Sequence, residues 1–398
     1  LERQLALLEV AFLLYYGRLS PSAAFLADIL ECGHRTQFGQ RQANASLFDA
    51  DAHAKCRCIR DLLLFLAIEC LNLEAALDVV PEGIAAPDDA ALAPLATDPD
   101  ALERCLVQLE KAASDVAYAP LLLSFALVLR RLDEVGSHTP LEPRLAATLD
   151  VVDHGPQIWR RLLQGAFDPS MQLFDTLHSL VTSPLLRTAT RALGASNLSA
   201  LAYRAVFKGL LLTITELVQP EYLPDLDPLV DLWCLTFRAM PGDVPDGIAA
   251  LCTQFWTQDI QYPTRASLLD TVRRRFPASF LPLVRLAHAL SGTAPDAPSP
   301  DTVTAMMNAL AHVPSVALIL PQRTAGLGLW ETLDEAGAPS VTYRLQADMP
   351  VAHTQMHVPA GTHGVLISPS GQAPAIVLWQ LATPISAWHI LHDAFVSL

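Results

Sequence analysis

The placement of proline constrains this chain more than any other feature. There are 30 prolines. Inside a helix, a proline removes a backbone donor and its ring meets the preceding turn, at a cost of about 3 kcal/mol. Yet apolar residues recur at helical spacing along most of the chain, beginning with Leu5, Leu8, Phe12 and Tyr15/Tyr16. The two facts are compatible only if the prolines stand at seams. Pro21, Pro120, Pro156, Pro169, Pro184, Pro263 and Pro277 each open or closely precede an apolar period. The chain is therefore expected to be mainly α, built of helices of about 10–20 residues joined by short loops.

The periods place these helices. The first ends at Gly17. Ser20-Pro21 then opens one reaching about Cys32, followed by a loop over Gly33–Leu47. Asp49–Val80 reads as one long helix or two end to end, and Pro81–Pro99 as an exposed connection. Ala101–Ala117 and Pro120–Val135 form an antiparallel pair. Shorter helices follow at Arg144–Asp153, Pro156–Ala166, Pro169–Val181, Pro184–Leu193 and Ser196–Val218. The series continues with Asp227–Ala239, Val244–Trp256, Pro263–Phe276, Pro277–Leu290 and, after a linker, Asp301–His312. No fixed-period repeat is present. The recurring unit is helix, short loop, helix, which fits an irregular α-helical solenoid of stacked antiparallel pairs.

After Pro314 the period changes from helical to alternating. Val316–Leu320, Val341–Leu345, Gln355–Val358, Thr362–Ser368 and Ala373–Gln380 read as short strands, and Leu327–Leu333 as a helical turn. Pro369-Ser370-Gly371-Gln372 is the turn of a hairpin. Many short strands with Gly/Pro turns predict a small barrel. Ser386 then caps a new helix, Ala387–Phe395, with Trp388, Leu391 and Phe395 on one face. The domain boundaries expected are 1–313 for the solenoid, 314–385 for the barrel and 386–398 for resumed helix.

Composition bears on function in three ways. Hydrophobic residues make up 52% and charged residues 17%. Such a balance suits helices buried on more than one side. A membrane span needs about 18 uninterrupted apolar residues, and Val10–Tyr16, Leu62–Ile68 and Leu121–Leu129 are all cut short by polar or charged neighbours. The net charge of −15 repels phosphate and argues against nucleic acid as a partner. Arg273-Arg274-Arg275 splays around a helix and reads as a solvated face. The seven cysteines lack framework spacing and read as reduced thiols. Cys56 and Cys58 point about 200° apart on a helix, too far to share one metal.

No catalytic or metal constellation is read. His353, His357 and His363 cluster near the strands without a fourth ligand, and His389 and His392 lack a third. Asp88-Asp89 and Asp98/Asp100 read as solvated carboxylates of an exposed loop. Gly326-Leu327-Gly328 lacks the third glycine and the strand–helix order of a nucleotide-binding turn. Phe12, Tyr15, Phe65, Phe125, Trp159, Phe174, Phe207, Trp233, Phe255 and Trp256 fall on helix faces and read as core. The expectation is a protein that is not an enzyme and takes no cofactor, no metal and no small-molecule substrate. The residues name no partner-binding position. The chain begins at Leu1, already within an apolar run, and reads as an internal piece of something longer.

Three stretches together resemble the nucleoporin 188 family of large inner-ring scaffold nucleoporins. The first runs from Arg3-Gln4 through Leu7-Leu8-Glu9-Val10-Ala11-Phe12-Leu13-Leu14-Tyr15-Tyr16, with Thr36-x-Phe38-Gly39-x-x-Gln42 downstream. The second is Arg275-Phe276-Pro277-x-x-Phe280-Leu281-Pro282-Leu283-x-Arg285-Leu286. The third is Val358-Pro359-Ala360-Gly361-Thr362-x-Gly364, followed by Val377-Leu378-Trp379 and Ser386-Ala387-Trp388. The larger sister family shares the solenoid logic.

The third stretch is similar to the SH3-like barrel inserted in the amino-terminal solenoid of the 188 family. The resemblance implies a fragment of that amino-terminal domain, set in the nuclear pore complex at the nuclear envelope. It further implies contacts with other inner-ring nucleoporins, support of nucleocytoplasmic transport of protein and mRNA, and weak binding of phenylalanine–glycine (FG) repeats. The portion with which family members hold a partner nucleoporin's helix is not among these residues. The alternative class is a mobile transport-receptor-like or coat-adaptor solenoid. An SH3 fold that binds polyproline needs an aromatic groove, and this one offers only Tyr343 and Trp379. Proline-rich peptides are therefore expected not to bind, which titration of a proline-rich peptide library against the chain would check.

Overall fold

The computed structural model describes residues 1–16, 19, 21–78, 95, 98–111, 115–138, 143, 157–186, 198–217, 226–238, 245–292, 300–320, 328–333, 341–352, 354–367 and 375–397. The chain is mainly helical, with a small antiparallel sheet near its C-terminal end. It divides into two compact units, Leu1–Gly247 and Ile248–Leu398.

The first unit holds α1 (Glu2–Tyr15), α2 (Ala23–Thr36), α3 (Ala50–Glu69), α4 (Leu73–Asp78), α5 (Pro99–Lys111), α6 (Ala119–His138), α7 (Ile158–Ala166), α8 (Leu173–Val181), α9 (Leu198–Leu217) and α10 (Asp227–Phe237). Three long helices form its interior. In α3 every residue from Asp61 to Ile68 is buried, and in α6 every residue from Ala119 to Leu129. α9 is equally enclosed, and it packs on α3, α4, α6 and α10. A helix apolar on all sides must be wrapped by others. Aromatic rings knit the wrapping. Tyr203 of α9 lies 4.5 Å from Phe12 of α1 and 5.4 Å from Phe65 of α3, centroid to centroid.

The caps differ from those the periods predict. α2 is capped by Ser22, whose side chain accepts from the Phe25 N–H, rather than opened by Ser20-Pro21. It also runs through Gly33 to Thr36 and ends on Gln37 in the left-handed region. The Phe38 ring packs directly over Gly33, where a Cβ would lie 2.9 Å from Phe38 Cε1. The long period from Asp49 breaks in two at Asn72, whose φ is +48. Asp98 caps α5, accepting from the Ala101 N–H at 3.0 Å, so Asp98 and Asp100 belong to a helix start and not to a loop. The expected helix at Arg144–Asp153 lies outside the described residues, as do nearly all of Pro81–Pro99, most of the linker Gly292–Pro300 and the turn Pro369–Gln372.

The second unit takes up the helix α11 (Pro245–Thr257), then α12 (Pro263–Arg274), α13 (Phe280–Leu290) and α14 (Pro300–Ala311). Seven strands follow: β1 (Val313–Ile319), β2 (Trp330–Leu333), β3 (Thr342–Leu345), β4 (Met349–Pro350), β5 (His357–Val358), β6 (His363–Leu366) and β7 (Ile376–Ile385). The helix α15 (Ala387–Ser397) closes the chain. Five strands form one antiparallel sheet in the order β1-β7-β6-β3-β2, and β4 and β5 form a separate ribbon. The expected hairpin is present as β6–β7, with Leu366 opposite Val377. The expected helical turn at Leu327–Leu333 is instead β2, pairing with β3 from Trp330 opposite Leu345 to Leu333 opposite Thr342.

The sheet does not close into a barrel. Closure needs β1 to pair with β2, and no such pairing occurs among the described residues. The β1–β7 ladder also shifts register between Val313 and Ser315. Pro314 and Pro384 both fall in that irregular stretch, and neither can donate a ladder hydrogen bond. The centre of the sheet is covered on both faces: Val377, Leu378 and Trp379 are all buried.

Trp379 sits opposite Gly364 in the β6–β7 register. A Cβ at Gly364 would lie 2.5 Å from Trp379 Cε3 and 2.6 Å from Val377 Cγ1. Gly364→Ala is therefore expected to cost about 1–3 kcal/mol by forcing the ring out of place. Gly361→Ala meets nothing within 4 Å and has only its φ of +84° to oppose it, at about 1 kcal/mol. Urea unfolding of the two variants should rank Gly364→Ala as the more damaging.

Candidate functional site

An apolar groove of about 710 Å³ lies in the second unit. Its floor is the outer edge of β1, from Ala317 to Ile319. One wall is the segment Pro277–Phe280 leading into α13, and another is the stretch Ala347–Pro350 that carries β4. Ile390 and Ala394 of α15 close it. Of its lining residues only Asp348 is charged.

Backbone hydrogen bonds build the groove. The Ala317 N–H donates to Phe276 O at 2.9 Å, and the Ala278 N–H donates to Ala317 O at 3.2 Å. These two bonds lay the Phe276–Ala278 segment parallel to β1. The Ser279 N–H then turns back to Arg275 O at 2.8 Å, and α13 begins at Phe280. The chain thus leaves the sheet edge after one pairing, and the space beyond it is the groove.

The face of α15 differs from the expected one. Ala387 and Ile390 are buried and Ala394 half-buried, whereas Phe395 is 79% exposed. Trp388 instead donates its indole N–H to Met307 O at 3.1 Å. The stripes 387/390/394 and 388/391/395 are neighbours on one helix, both at helical spacing. This groove had no signal in the sequence, because its walls meet only once Pro277 reaches Ala317.

The predicted candidates do not converge. His357 and His363 are exposed, on strands of different sheets. His389 and His392 are exposed on α15, His392 lying 3.4 Å from Asp393. His353, Gly326, Leu327 and Asp88-Asp89 lie outside the described residues. No group of three metal-ligating side chains exists among the described residues. Cys56 is buried and Cys58 half-buried. Arg273 binds Asp270 at 3.2 Å and reaches His312 O, and Arg274 alone of its triplet is exposed. Trp379 is wholly buried, so it cannot line a surface for polyproline. Of the aromatics read as core, Phe12, Phe65, Phe125, Phe207, Trp233 and Phe255 are buried and the others half-buried. No helix among the described residues is long and apolar enough to cross a membrane.

Burial shifts several titratable groups of the first unit toward their neutral forms. Burial pushes the Cys70 and Cys105 thiols up to about 12, which keeps them protonated and poor nucleophiles. Glu69, at the end of α3, is raised to about 8 by burial and then by the nearby Glu74 carboxylate. Glu74 has a cation, the buried Lys208, at 3.4 Å. Asp61, buried within α3, accepts from Ser183 Oγ and is paired with Arg60 at 2.7 Å.

No family model matches the chain, and no curated protein matches it.

Glu69 makes stability depend on pH. The folded chain holds its proton up to about pH 8, whereas an exposed glutamate releases it at the ordinary value of 4.5. The unfolded chain therefore binds fewer protons between these values, and stability falls as pH rises through that window. Since Glu69 is only half-buried, the loss is on the order of 1–2 kcal/mol. Glu69→Gln should flatten the slope, as urea unfolding at several pH values between the two limits would show.

Proposed function

We propose that this chain is a structural and interaction protein, a segment of the inner-ring scaffold of the nuclear pore complex at the nuclear envelope, with no catalysis of its own. It acts by geometry. Its helices stack in antiparallel pairs as an irregular solenoid, and the strands from 314 to 385 form an SH3-like insert before the helices resume. It meets other inner-ring nucleoporins through surfaces and grooves, and so supports nucleocytoplasmic transport. It takes no nucleic acid, cofactor or small-molecule substrate.

The apolar groove beside β1 is the observation that carries the docking reading. A concavity of about 710 Å³ whose lining holds one carboxylate among apolar side chains suits apolar side chains of another protein. The nuclear-pore placement rests on the family resemblance. It is supported by the order of elements, with helices to Ala311, an antiparallel sheet from Val313 to Ile385 and helix again from Ala387. FG repeats present phenylalanine rings of the right character for such a groove.

Two measurements test the proposal. A tagged chain should stay at the nuclear rim for minutes after photobleaching; exchange within seconds would point to a mobile adaptor instead. Immobilised FG repeats should retain the chain above a control helical protein, and equal retention would remove repeat binding from the proposal.

A further inference from the structure

The direction of the β1 backbone groups says what kind of segment the groove takes. The Leu320 N–H donates to Ala375 O at 2.9 Å, toward β7. Successive residues of a strand alternate the side to which they present their hydrogen-bonding groups. Leu318 therefore faces β7 as well, while Ala317 and Ile319 face outward. Ala317 spends both outward groups on Phe276 and Ala278. The covering segment then departs into α13, so the outward N–H and C=O of Ile319 meet no partner among the described residues. They open directly onto the groove, beside an Ile319 side chain that is 46% exposed.

Charge adds a second constraint. Asp348 lies at the same groove. One of its oxygens accepts from the Ala360 N–H at 2.8 Å, and no cation faces it among the described residues.

We propose that the groove binds an extended segment of a partner protein by strand addition to β1. The segment's backbone pairs with the N–H and C=O of Ile319. Its alternate apolar side chains enter the groove, and a lysine or arginine rests at Asp348. A helical occupant satisfies its own backbone internally and would cover the Ile319 groups without bonding them. A second copy would bring another Asp348 and a net charge of −15 to the same place, where a cationic segment brings the opposite sign. This inference rests on the docking reading of the groove and adds the form and charge of what docks.

The experiment uses the whole chain and a labelled short peptide of alternating valine and serine with one terminal lysine, followed by fluorescence anisotropy. Saturable binding is expected. Methylating the peptide's alternate backbone nitrogens should weaken it about tenfold. Asp348→Lys, an exposed change, should weaken the lysine peptide and favour one carrying glutamate instead. Absence of saturable binding, or equal binding by the N-methylated peptide, overturns strand addition. If FG repeats bind at this groove while the valine–serine peptide does not, strand addition fails and the docking reading stands. If neither binds, both fail.

Discussion

Two backbone hydrogen bonds at Ala317 hold the second unit's architecture in place. A five-stranded sheet with strands as short as four residues gains stability from a hydrophobic face and from helices packed on it. It needs a covered face and a protected edge. The bonds from Ala317 to Phe276 and Ala278 join its edge strand to the segment between α12 and α13. Burial then follows. Phe276, Val316 and Ala317 are all fully enclosed. Each buried side chain of valine or phenylalanine size contributes about 1.5–3 kcal/mol. The groove is a by-product of the same contact, since the segment can pair with β1 only until α13 begins.

The first unit solves a different problem. Helices as apolar as α3, α6 and α9 cannot leave a charge unsatisfied inside. Among the described residues, the buried guanidinium groups reach carboxylates or carbonyl oxygens. Arg131 of α6 reaches both Glu134 and Glu216. Arg204 of α9 donates to the carbonyl oxygens of Leu186 and Thr236. The second contact is instructive because Thr236 lies in the last turn of α10, where carbonyls lack helical partners. A buried guanidinium with several donors can fill that need, and a lysine could not do so with the same geometry. Such contacts fix which helices adjoin, whereas apolar burial alone would tolerate sliding.

Much of the helical part was legible because proline speaks through local sterics. Pro228 and Pro263 stand in the first turns of α10 and α12, where the missing N–H costs nothing. The errors arose where tertiary contacts decide. Ser20 and Ser22 are equal caps by type, and the chain uses Ser22. Gly328-Leu329-Trp330 fits a helical turn as well as a strand, until Leu345 and Arg344 arrive as partners. The β4 strand of two residues has no period to read. The alternation after Pro314 did reveal strands, but closure into a barrel depends on the pairing of their outermost members, which no local pattern encodes. The groove was invisible for the same reason. Pro277 could be recognised as a seam, yet nothing near it in sequence announces Ala317.

The two edges of the sheet are treated unequally, and that asymmetry bears on use. Open edges invite pairing with other chains, and charges placed on them discourage it. β2 carries Glu331, which faces Arg344 of β3 at 3.7 Å, and its burial pattern is half-exposed throughout. Any strand added there would have to lie against a solvated ion pair. β1 is the reverse: its central residues from Val316 to Leu318 are buried, and no charged residue stands in it. Its edge is closed at Ala317 by the chain's own segment and opens again at Ile319, beside apolar walls that keep a flat sheet from stacking on it. A single open pairing position within a groove cannot template an extended sheet, but it can align one short strand. Edge protection thus falls to the same few residues, Phe276 to Ala278, whose departure into α13 leaves the Ile319 position uncovered by them.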